Sequence, residues 1–121
     1  MDARLERGIE LFNACEFFEA HEVWEQAWTP ERGPRRLFLQ ALIHLAVGSY
    51  HWSKGNAAGA RRQLYKALRK MEASGPAWEL VDMVRLGEDT RRMLESIEAG
   101  GPVEYLRILT LPDAESPAPE P

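Results

Sequence analysis

The sequence has one cysteine, no long apolar run and no excess of basic residues. Cys15 alone excludes an intramolecular disulfide and favours a reducing compartment. The longest nearly apolar stretch, LFLQALIHLAVG, falls well short of the roughly 20 residues that a bilayer-spanning helix needs. The N-terminal MDARLERG is charged, with no apolar signal stretch behind it. These features predict a cytoplasmic protein with no membrane segment.

Positive charge is concentrated in one place. The net charge of −4 argues against general affinity for nucleic acid, which depends on neutralising phosphates. A basic run without an acid between its members lies in the predicted fourth helix: Arg61, Arg62, Lys66, Arg69 and Lys70. Such runs are more often solvated faces, and no aromatic residue is interleaved as a base-stacking platform. Nucleic acid is therefore an unlikely partner, and the acidic face of the second helix balances this run.

No segment of convincing length alternates with a period of two, so the 121 residues predict one all-α domain. Glycine and proline mark the breaks between helices, at TPERGP, KGN, SGPA and GGP, and NACE interrupts the first helical pattern. Pro34 suits a first helical turn and Asn56 suits an N-cap. The five expected helices cover about 3–13, 17–28, 34–54, 57–73 and 79–99.

The C-terminal part differs in composition from the helices. The stretch VEYLRILTL is expected to be a short extended or one-turn segment packed on the bundle. Residues 112–121, DAESPAPEP with the proline before it, contain no large apolar group and predict a disordered tail. The folded domain is therefore expected to span residues 1–111.

An internal repeat joins the first two helices to the next two. FNACEFFEAHEVWEQAW (12–28) aligns with WSKGNAAGARRQLYKAL (52–68), so that Cys15 falls on Gly55 and Ala20 on Ala60. Helix, short turn and helix with a small residue at the crossing is the pattern of tetratricopeptide hairpins. Two hairpins are too few for a solenoid, so we expect a compact bundle of two tetratricopeptide-like hairpins plus a closing C-terminal helix.

The run EFFEAHEVWEQAW (16–28) carries the first candidate site residues. On a helical wheel, His21 and Glu25 lie at the margin of the aromatic face, between Trp28 and Phe18, one turn apart. Glu19, Glu22 and Gln26 form the solvated face.

The predicted third helix is apolar nearly all round except for a polar stripe. Gln40, His44 and His51 fall within about 40° of each other on the wheel, and Gly48 borders them. A polar stripe on a central helix needs partners or water. Since the second and third helices are joined by a short loop, His21 and Glu25 are placed to face this stripe.

Two interpretations of these residues stay open. In the first, a polar pocket walled by Phe18, Trp24, Trp28 and Trp52 binds a small ligand or a divalent metal. Its candidate residues are His21, Glu25, Trp28, Gln40, His44 and His51, of which His21, Glu25 and His51 are the candidate metal ligands, for zinc, iron or nickel. In the second, the same residues form a structural hydrogen-bond network, and the protein is a non-catalytic interaction or self-association module. Self-association would make it a homo-oligomer.

Known catalytic motifs fit the sequence poorly. HEVWE lacks the second histidine of the zinc peptidase motif, and no glutamate stands three residues before a histidine as in di-iron bundles. No phosphate-binding glycine loop is present, and neither Ser49 nor Ser53 carries a nucleophile signature. The sequence therefore assigns no reaction and no cofactor.

With these residues in view, the chain resembles the uncharacterised family called domain of unknown function 309, over roughly residues 5–100. Its hallmark corresponds to His21, Glu25 and Trp28. The resemblance implies an all-helical bundle and brings no activity. It also implies glycine at Cys15, glutamine more often than histidine at His44, and matching turn and close-packing positions at Gly55, Asn56 and Gly59. His21, Glu25, Gln40 and His51 are thereby the better site candidates.

Overall fold

The computed structural model describes residues 2–110, and within this range the chain is an all-α bundle, as predicted. The helices of these residues are α1 (Ala3–Asn13), α2 (Phe17–Trp28), α3 (Arg35–Ser53), α4 (Ala57–Ser74) and α5 (Met83–Ala99). Two short strands, β1 (Ala77–Trp78) and β2 (Val81–Asp82), lie between α4 and α5. Among residues 2–110 no helix has both the length and the apolar character needed to cross a bilayer.

Each helix packs on the next one along the chain, and short connections make successive helices antiparallel. α3 lies between α2 and α4, as expected for the most apolar helix. The core is one continuous apolar cluster, and burying it supplies most of the driving force for folding. Its largest fully buried side chains are Leu5, Phe12, Trp24, Phe38, Leu39, Leu42, Leu45 and Leu64.

The turns at residues 14–16 and 54–56 share one backbone geometry. Cys15 and Gly55 both adopt the left-handed conformation, with φ of 63° and 78°. Five backbone hydrogen bonds recur at an offset of 40 residues. In each turn the third residue donates its N–H to the carbonyl five residues earlier, at 2.8 Å in the first turn and 2.9 Å in the second. The repeat in the sequence is therefore a repeat of structure.

A glycine at the equivalent position of each hairpin lets the two helices of that hairpin cross closely. A Cβ atom built on Gly8 would lie 2.0 Å from Trp24 Nε1, and one built on Gly48 would lie 3.0 Å from Leu64 Cδ2. The approach also lets Trp24 Nε1 donate a hydrogen bond of 3.3 Å to the carbonyl of Leu5. Glycine at these positions therefore allows a large side chain of the second helix to pack on the backbone of the first.

The expected start of the last helix, near residue 79, was too early. Residues 77–82 form a tight antiparallel hairpin in which Ala77 pairs with Asp82. Glu79 and Leu80 make its turn with positive φ values of 46° and 71°, which helical residues do not adopt. Helix α5 begins after Asp82, whose carboxylate accepts a hydrogen bond of 3.1 Å from the backbone N–H of Arg85.

One guanidinium joins three parts of the fold near the start of α3. Arg35 contacts Asp2 at the N-cap of α1 (3.3 Å), Glu31 in the α2–α3 loop (3.3 Å) and Glu79 in the hairpin turn, with two hydrogen bonds to the last. A hydrogen bond from the backbone N–H of Arg4 is the main cause that lowers the pKa of Asp2, and Arg35 adds to it. Arg35 therefore ties the hairpin to the first two helices.

Residues 101–110 return from α5 toward the α1–α2 turn and pack on the bundle. The Asn13 amide donates to the carbonyl of Ile108 (3.0 Å) and accepts from its N–H (2.8 Å). Ile108 is buried, and Val81 forms an isolated bridge with Thr110. The prediction of a short packed segment is confirmed for this part. The predicted disordered tail, 112–121, lies outside the described residues.

Candidate functional site

The site residues lie in a groove whose floor is α3 and whose walls are α2 and α4. His44 contacts Gln63 of α4, and the ring of His51 lies where a Cβ atom on Gly59 of α4 would come within 3.0 Å. On the other side, His21 of α2 shares a cleft with His51. The polar stripe predicted on α3 is thus the floor of the groove.

A row of four rings crosses from α2 to α3 at one end of the groove. The ring centroids of His21 and Phe18 are 5.3 Å apart, those of Phe18 and Tyr50 5.5 Å, and those of Tyr50 and His51 6.3 Å. Phe18 is 45% exposed, which is unusual for a phenylalanine. The rings border a mainly apolar cleft of about 240 Å³ that opens to solvent. We call it the His cleft; its lining residues are Phe17, Phe18, His21, Val47, Tyr50 and His51.

His21 and Glu25 form a pair at the edge of this cleft. His21 Nε2 lies 3.4 Å from a carboxylate oxygen of Glu25, and His21 Nδ1 lies 3.1 Å from the carbonyl oxygen of Phe18. Both neighbours are acceptors, so the imidazolium donates to both whereas either neutral tautomer donates to only one. The side chain of His21 is 18% exposed and that of Glu25 is 50% exposed. The pair is therefore open to solvent.

His51 has a different hydrogen-bonding state from His21. The Asn56 side-chain oxygen accepts from the backbone N–H of Gly59 (2.9 Å), which leaves its amide nitrogen facing His51 Nδ1 at 3.5 Å. An amide N–H can only donate, so Nδ1 is the acceptor and the proton of neutral His51 is on Nε2. His51 thereby retains one N–H donor that the protein does not use within residues 2–110.

His44 faces α4 and does not join the cleft. Its Nδ1 lies 2.7 Å from the Gln63 side-chain oxygen. Burial lowers the pKa of His44 below the usual range of histidine. The positive charges of Lys70, Lys66 and Arg69 act in the same direction, and the hydrogen bond to Gln63 opposes them. His44 is therefore a neutral floor residue near the basic wall.

The other predicted site residues are dispersed along the groove. Arg36 covers the Trp28 ring, with its guanidinium carbon 3.8 Å from the ring centroid, and Trp28 Nε1 is buried without a partner in the described part of the chain. Gln40 is half-buried on the α3 floor. Trp24, expected as a pocket wall, is fully buried against α1, and Trp52 is not part of the cleft lining. Trp24 lies only about 60° from His21 around α2, but its ring packs on Gly8 and bonds to the carbonyl of Leu5 of α1, away from the cleft.

The candidate metal ligands are only partly brought together. His21 and Glu25 are in contact, and His51 lines the same cleft as His21. Among residues 2–110 no three histidine, cysteine, aspartate or glutamate side chains are grouped closely enough to hold a metal ion. The arrangement offers two adjacent donors, whereas protein zinc sites ordinarily use three or four.

Three lining residues, Phe17, Val47 and Tyr50, did not appear among the sequence candidates. Val47 lies one helical turn from both His44 and His51, so helical spacing alone places it on the stripe. Its apolar character excluded it from a search for polar groups. Tyr50 sits at the border between the stripe and the α2 contact, and only the packing of Phe18 against it makes it part of the site.

Comparison with known proteins agrees with the resemblance drawn from the sequence. The family model described as "Domain of unknown function (DUF309)" matches residues 5–63, from α1 into α4. The chain is also similar to the "Uncharacterized protein YpuF" of Bacillus subtilis (strain 168), with 32% identity over 92 residues, which is 75% of this chain. The chain spans about half the length of that relative, 50%. Residues 5–63, which carry His21, Glu25 and Trp28, therefore belong to the DUF309 family.

Proposed function

We propose that the protein binds a small organic molecule in the His cleft. The observation that carries the proposal is the solvent-open, ring-lined cleft of about 240 Å³ with His21 and His51 at its edge. A cavity of about 150 Å³ holds a benzene-sized molecule, so this volume suits one or two fused rings. Apolar lining with a few fixed polar groups is typical of small-molecule sites. Because the single cysteine favours a reducing compartment, we propose that this binding takes place in the cytoplasm.

The polar groups define the chemistry of the ligand. His51 supplies an Nε2–H donor, whereas both ring nitrogens of His21 already face protein acceptors, Glu25 and the carbonyl of Phe18. One free donor beside aromatic rings favours a planar molecule that carries a carbonyl or carboxylate oxygen. No described group of the cleft is a nucleophile with a base in contact, so we propose binding without covalent catalysis.

Binding of aromatic carboxylates tests this proposal. We expect benzoate and 2-naphthoate to shift the NMR resonances of the His21 and His51 ring protons, with dissociation constants of about millimolar, as for other fragments of this size. Benzylamine, which has the same ring but the opposite charge, should not shift them. The substitution His51→Phe keeps a ring and removes the donor, so it should weaken 2-naphthoate binding about tenfold, equivalent to about 1.4 kcal/mol.

His44→Gln is the matched control because its side chain lies on the α4 side and outside the cleft lining. It should leave binding unchanged. If neither carboxylate shifts the His21 and His51 resonances, or if His44→Gln weakens binding as much as His51→Phe, the His cleft is not the binding site.

A divalent metal at His21 and Glu25 stays a separate prediction. The two side chains offer one imidazole nitrogen and one carboxylate oxygen, and the ion would complete its shell with water or ligand. Native mass spectrometry after addition of one equivalent of Zn²⁺ should show a one-ion complex that Glu25→Gln loses. Retention of the ion by Glu25→Gln would contradict this site.

The second candidate function is an interaction module built from tetratricopeptide-like hairpins. The repeated turn geometry and the repeated glycine crossing at Gly8 and Gly48 favour it. In this case the groove over α3 holds a protein surface, and substitutions in its walls, outside the His cleft, should abolish binding of that partner.

A further inference from the structure

The two walls of the groove carry opposite charge, and neither charge is neutralised inside the described part of the chain. On α2, Glu19 and Glu22 are exposed and contact no basic group among residues 2–110. On α4, none of the basic run contacts a carboxylate within the same range. Its residues are Arg61, Arg62, Lys66, Arg69 and Lys70. The balance between the two faces that the sequence suggested is not made within one molecule.

Both charged faces point to the same side of the bundle. His44 and His51 on the floor contact α4, and Lys66 and Lys70 are near enough to lower the pKa of His44 together with its burial. His21 of α2 meets the same floor from the other side. Since α2 and α4 each run antiparallel to α3, they are parallel to each other. The groove and its walls therefore form one face with an acidic edge, a polar centre and a basic edge.

We propose that this face is the interface of a homodimer. A two-fold axis parallel to α3 turns one copy over onto the other and places each α2 on the α4 of the partner. A two-fold axis at right angles to α3 within the face would instead place α2 on α2 and α4 on α4, acid on acid and base on base. A second copy fits because it presents both charges at the required separation in one rigid surface.

The lengths of the two charged edges match. Glu19 and Glu25 are about 9 Å apart along their helix, and Arg62 and Lys70 about 12 Å, at about 1.5 Å per residue. Helices packed about 9 Å apart, with the length of α3, give a face of roughly 500–600 Å² per protomer. That is below the roughly 800 Å² per partner of a standard stable interface. The dimer should therefore be of moderate affinity and weakened by salt, as interfaces with exposed charges are.

Charge reversal on one edge at a time tests the proposal. We expect the native chain, of 13.8 kDa, to show about twice that mass by light scattering at about 100 μM in low salt and to dissociate in high salt. Glu19→Lys/Glu22→Lys should be monomeric because two basic edges then meet. Arg62→Glu/Lys66→Glu should be monomeric because two acidic edges then meet. Circular dichroism establishes that each variant is folded.

Mixing the two variants is the decisive step. In the mixed pair, both contacts again join opposite charges, so an equimolar mixture should form a heterodimer although neither variant associates alone. Glu88→Lys/Glu95→Lys, which reverses two exposed acids on α5, is the matched control and should remain dimeric. A monomeric native chain, a dimer that survives both reversals, or a mixture that does not associate would overturn the proposal. The dimer covers the His cleft, so benzoate binding is measured on the two monomeric variants, which keep His21 and His51 in place and therefore test the cleft separately.

Discussion

The two hairpins of this protein have the same backbone geometry in their turns but differ in side-chain packing and surface charge. Their turns have matching hydrogen bonds and a left-handed residue at the same place. In the first hairpin Gly8 receives the ring of Trp24, while in the second Gly48 receives Leu64. The outer face of α2 is acidic and that of α4 is basic. One scaffold geometry therefore tolerates different packing and opposite surface charge, and substitutions at equivalent positions separate the two contributions.

The largest difference is expected at the glycine crossings. In Gly8→Ala the new Cβ would meet the fully buried Trp24 ring at 2.0–2.5 Å, so we expect a loss of about 3 kcal/mol or more in the free energy of unfolding. In Gly48→Ala it would meet the Leu64 side chain at 3.0 Å and the carbonyl oxygen of Ala60 at 3.3 Å, both farther away than the Trp24 ring is from Gly8. That cost is partly offset by about 1 kcal/mol of better helix propensity. Urea unfolding midpoints of both variants check the comparison.

Trp24→Leu tests whether the ring is the cause. Introduced alone it should destabilise by about 2–4 kcal/mol through a cavity, but together with Gly8→Ala it should cost clearly less than the two changes added. Simple additivity would show that the Gly8 crossing does not depend on Trp24.

A second difference concerns the residue before each turn. Asn13 holds Ile108 through two hydrogen bonds, whereas Ser53, at the equivalent place, bonds locally to the carbonyl of Tyr50. Asn13→Ser should cost about 1–3 kcal/mol and increase amide hydrogen exchange at Ile108. The converse change Ser53→Asn should stay within about 0.5 kcal/mol, because it lies on an exposed position. Equal effects of both changes would show that residues 101–110 do not depend on Asn13.

Substitutions of the two turn residues should change the stability by smaller amounts and in opposite directions. Cys15 holds a left-handed conformation that costs a residue with a Cβ atom about 1–2 kcal/mol. Cys15→Gly should therefore stabilise the protein by about 0.5–1 kcal/mol after the entropy cost of glycine. Gly55→Ala should destabilise it by about 1 kcal/mol. Thermal unfolding of the two variants provides the comparison, and two shifts of the same sign would contradict it.

The smallest expected effect is the pH dependence that His44 adds in the second hairpin. Burial lowers the pKa of folded His44, so the unfolded chain binds this proton more readily and stability falls as pH drops below about 6.5, the unfolded value. The decline ends below the folded pKa, and its slope stays under the limit of about 1.4 kcal/mol per pH unit for one proton. The equivalent residue of the first hairpin is Arg4, so that hairpin has no histidine at this place.

His44→Gln removes this group while keeping a hydrogen-bonding side chain toward Gln63. The difference in unfolding free energy between the native chain and His44→Gln, measured by urea between pH 5 and pH 7.5, should grow in favour of the variant as pH falls. A constant difference across this interval would mean that His44 does not contribute to the pH dependence.

Much of the local structure followed from short stretches of sequence. Asn56 was predicted as an N-cap and accepts from Gly59 N–H, and Gly55 was predicted as a turn residue and has a positive φ. Cys15 was placed in a turn through its alignment with Gly55 and through the family resemblance, and it has the same left-handed conformation as Gly55. The hairpin at residues 77–82 was missed because its turn uses Glu79 and Leu80, side chains that carry no turn signal.

The candidate site was less accessible to sequence reasoning. His21 and His51 were expected to face one another and do share a cleft, but His44, on the same stripe, turns to Gln63. A difference of a few tens of degrees in helix rotation decides which neighbour each side chain reaches. Trp24 and Trp52 were expected beside His21 for their size alone, and size does not determine the direction of a side chain.

The amino-acid sequence by itself determined the all-α class, the bounds of the four helices that precede residue 75, the internal repeat and the polar face of each helix. These depend on interactions within a few residues, such as backbone hydrogen bonds, caps and helical periodicity. Only the tertiary structure decided that α2 and α4 flank one face of α3, that Phe18 stays exposed beside Tyr50, and that Asn13 holds residues 101–110. These depend on how helices rotate and pack to fill the core, which is a property of the whole chain.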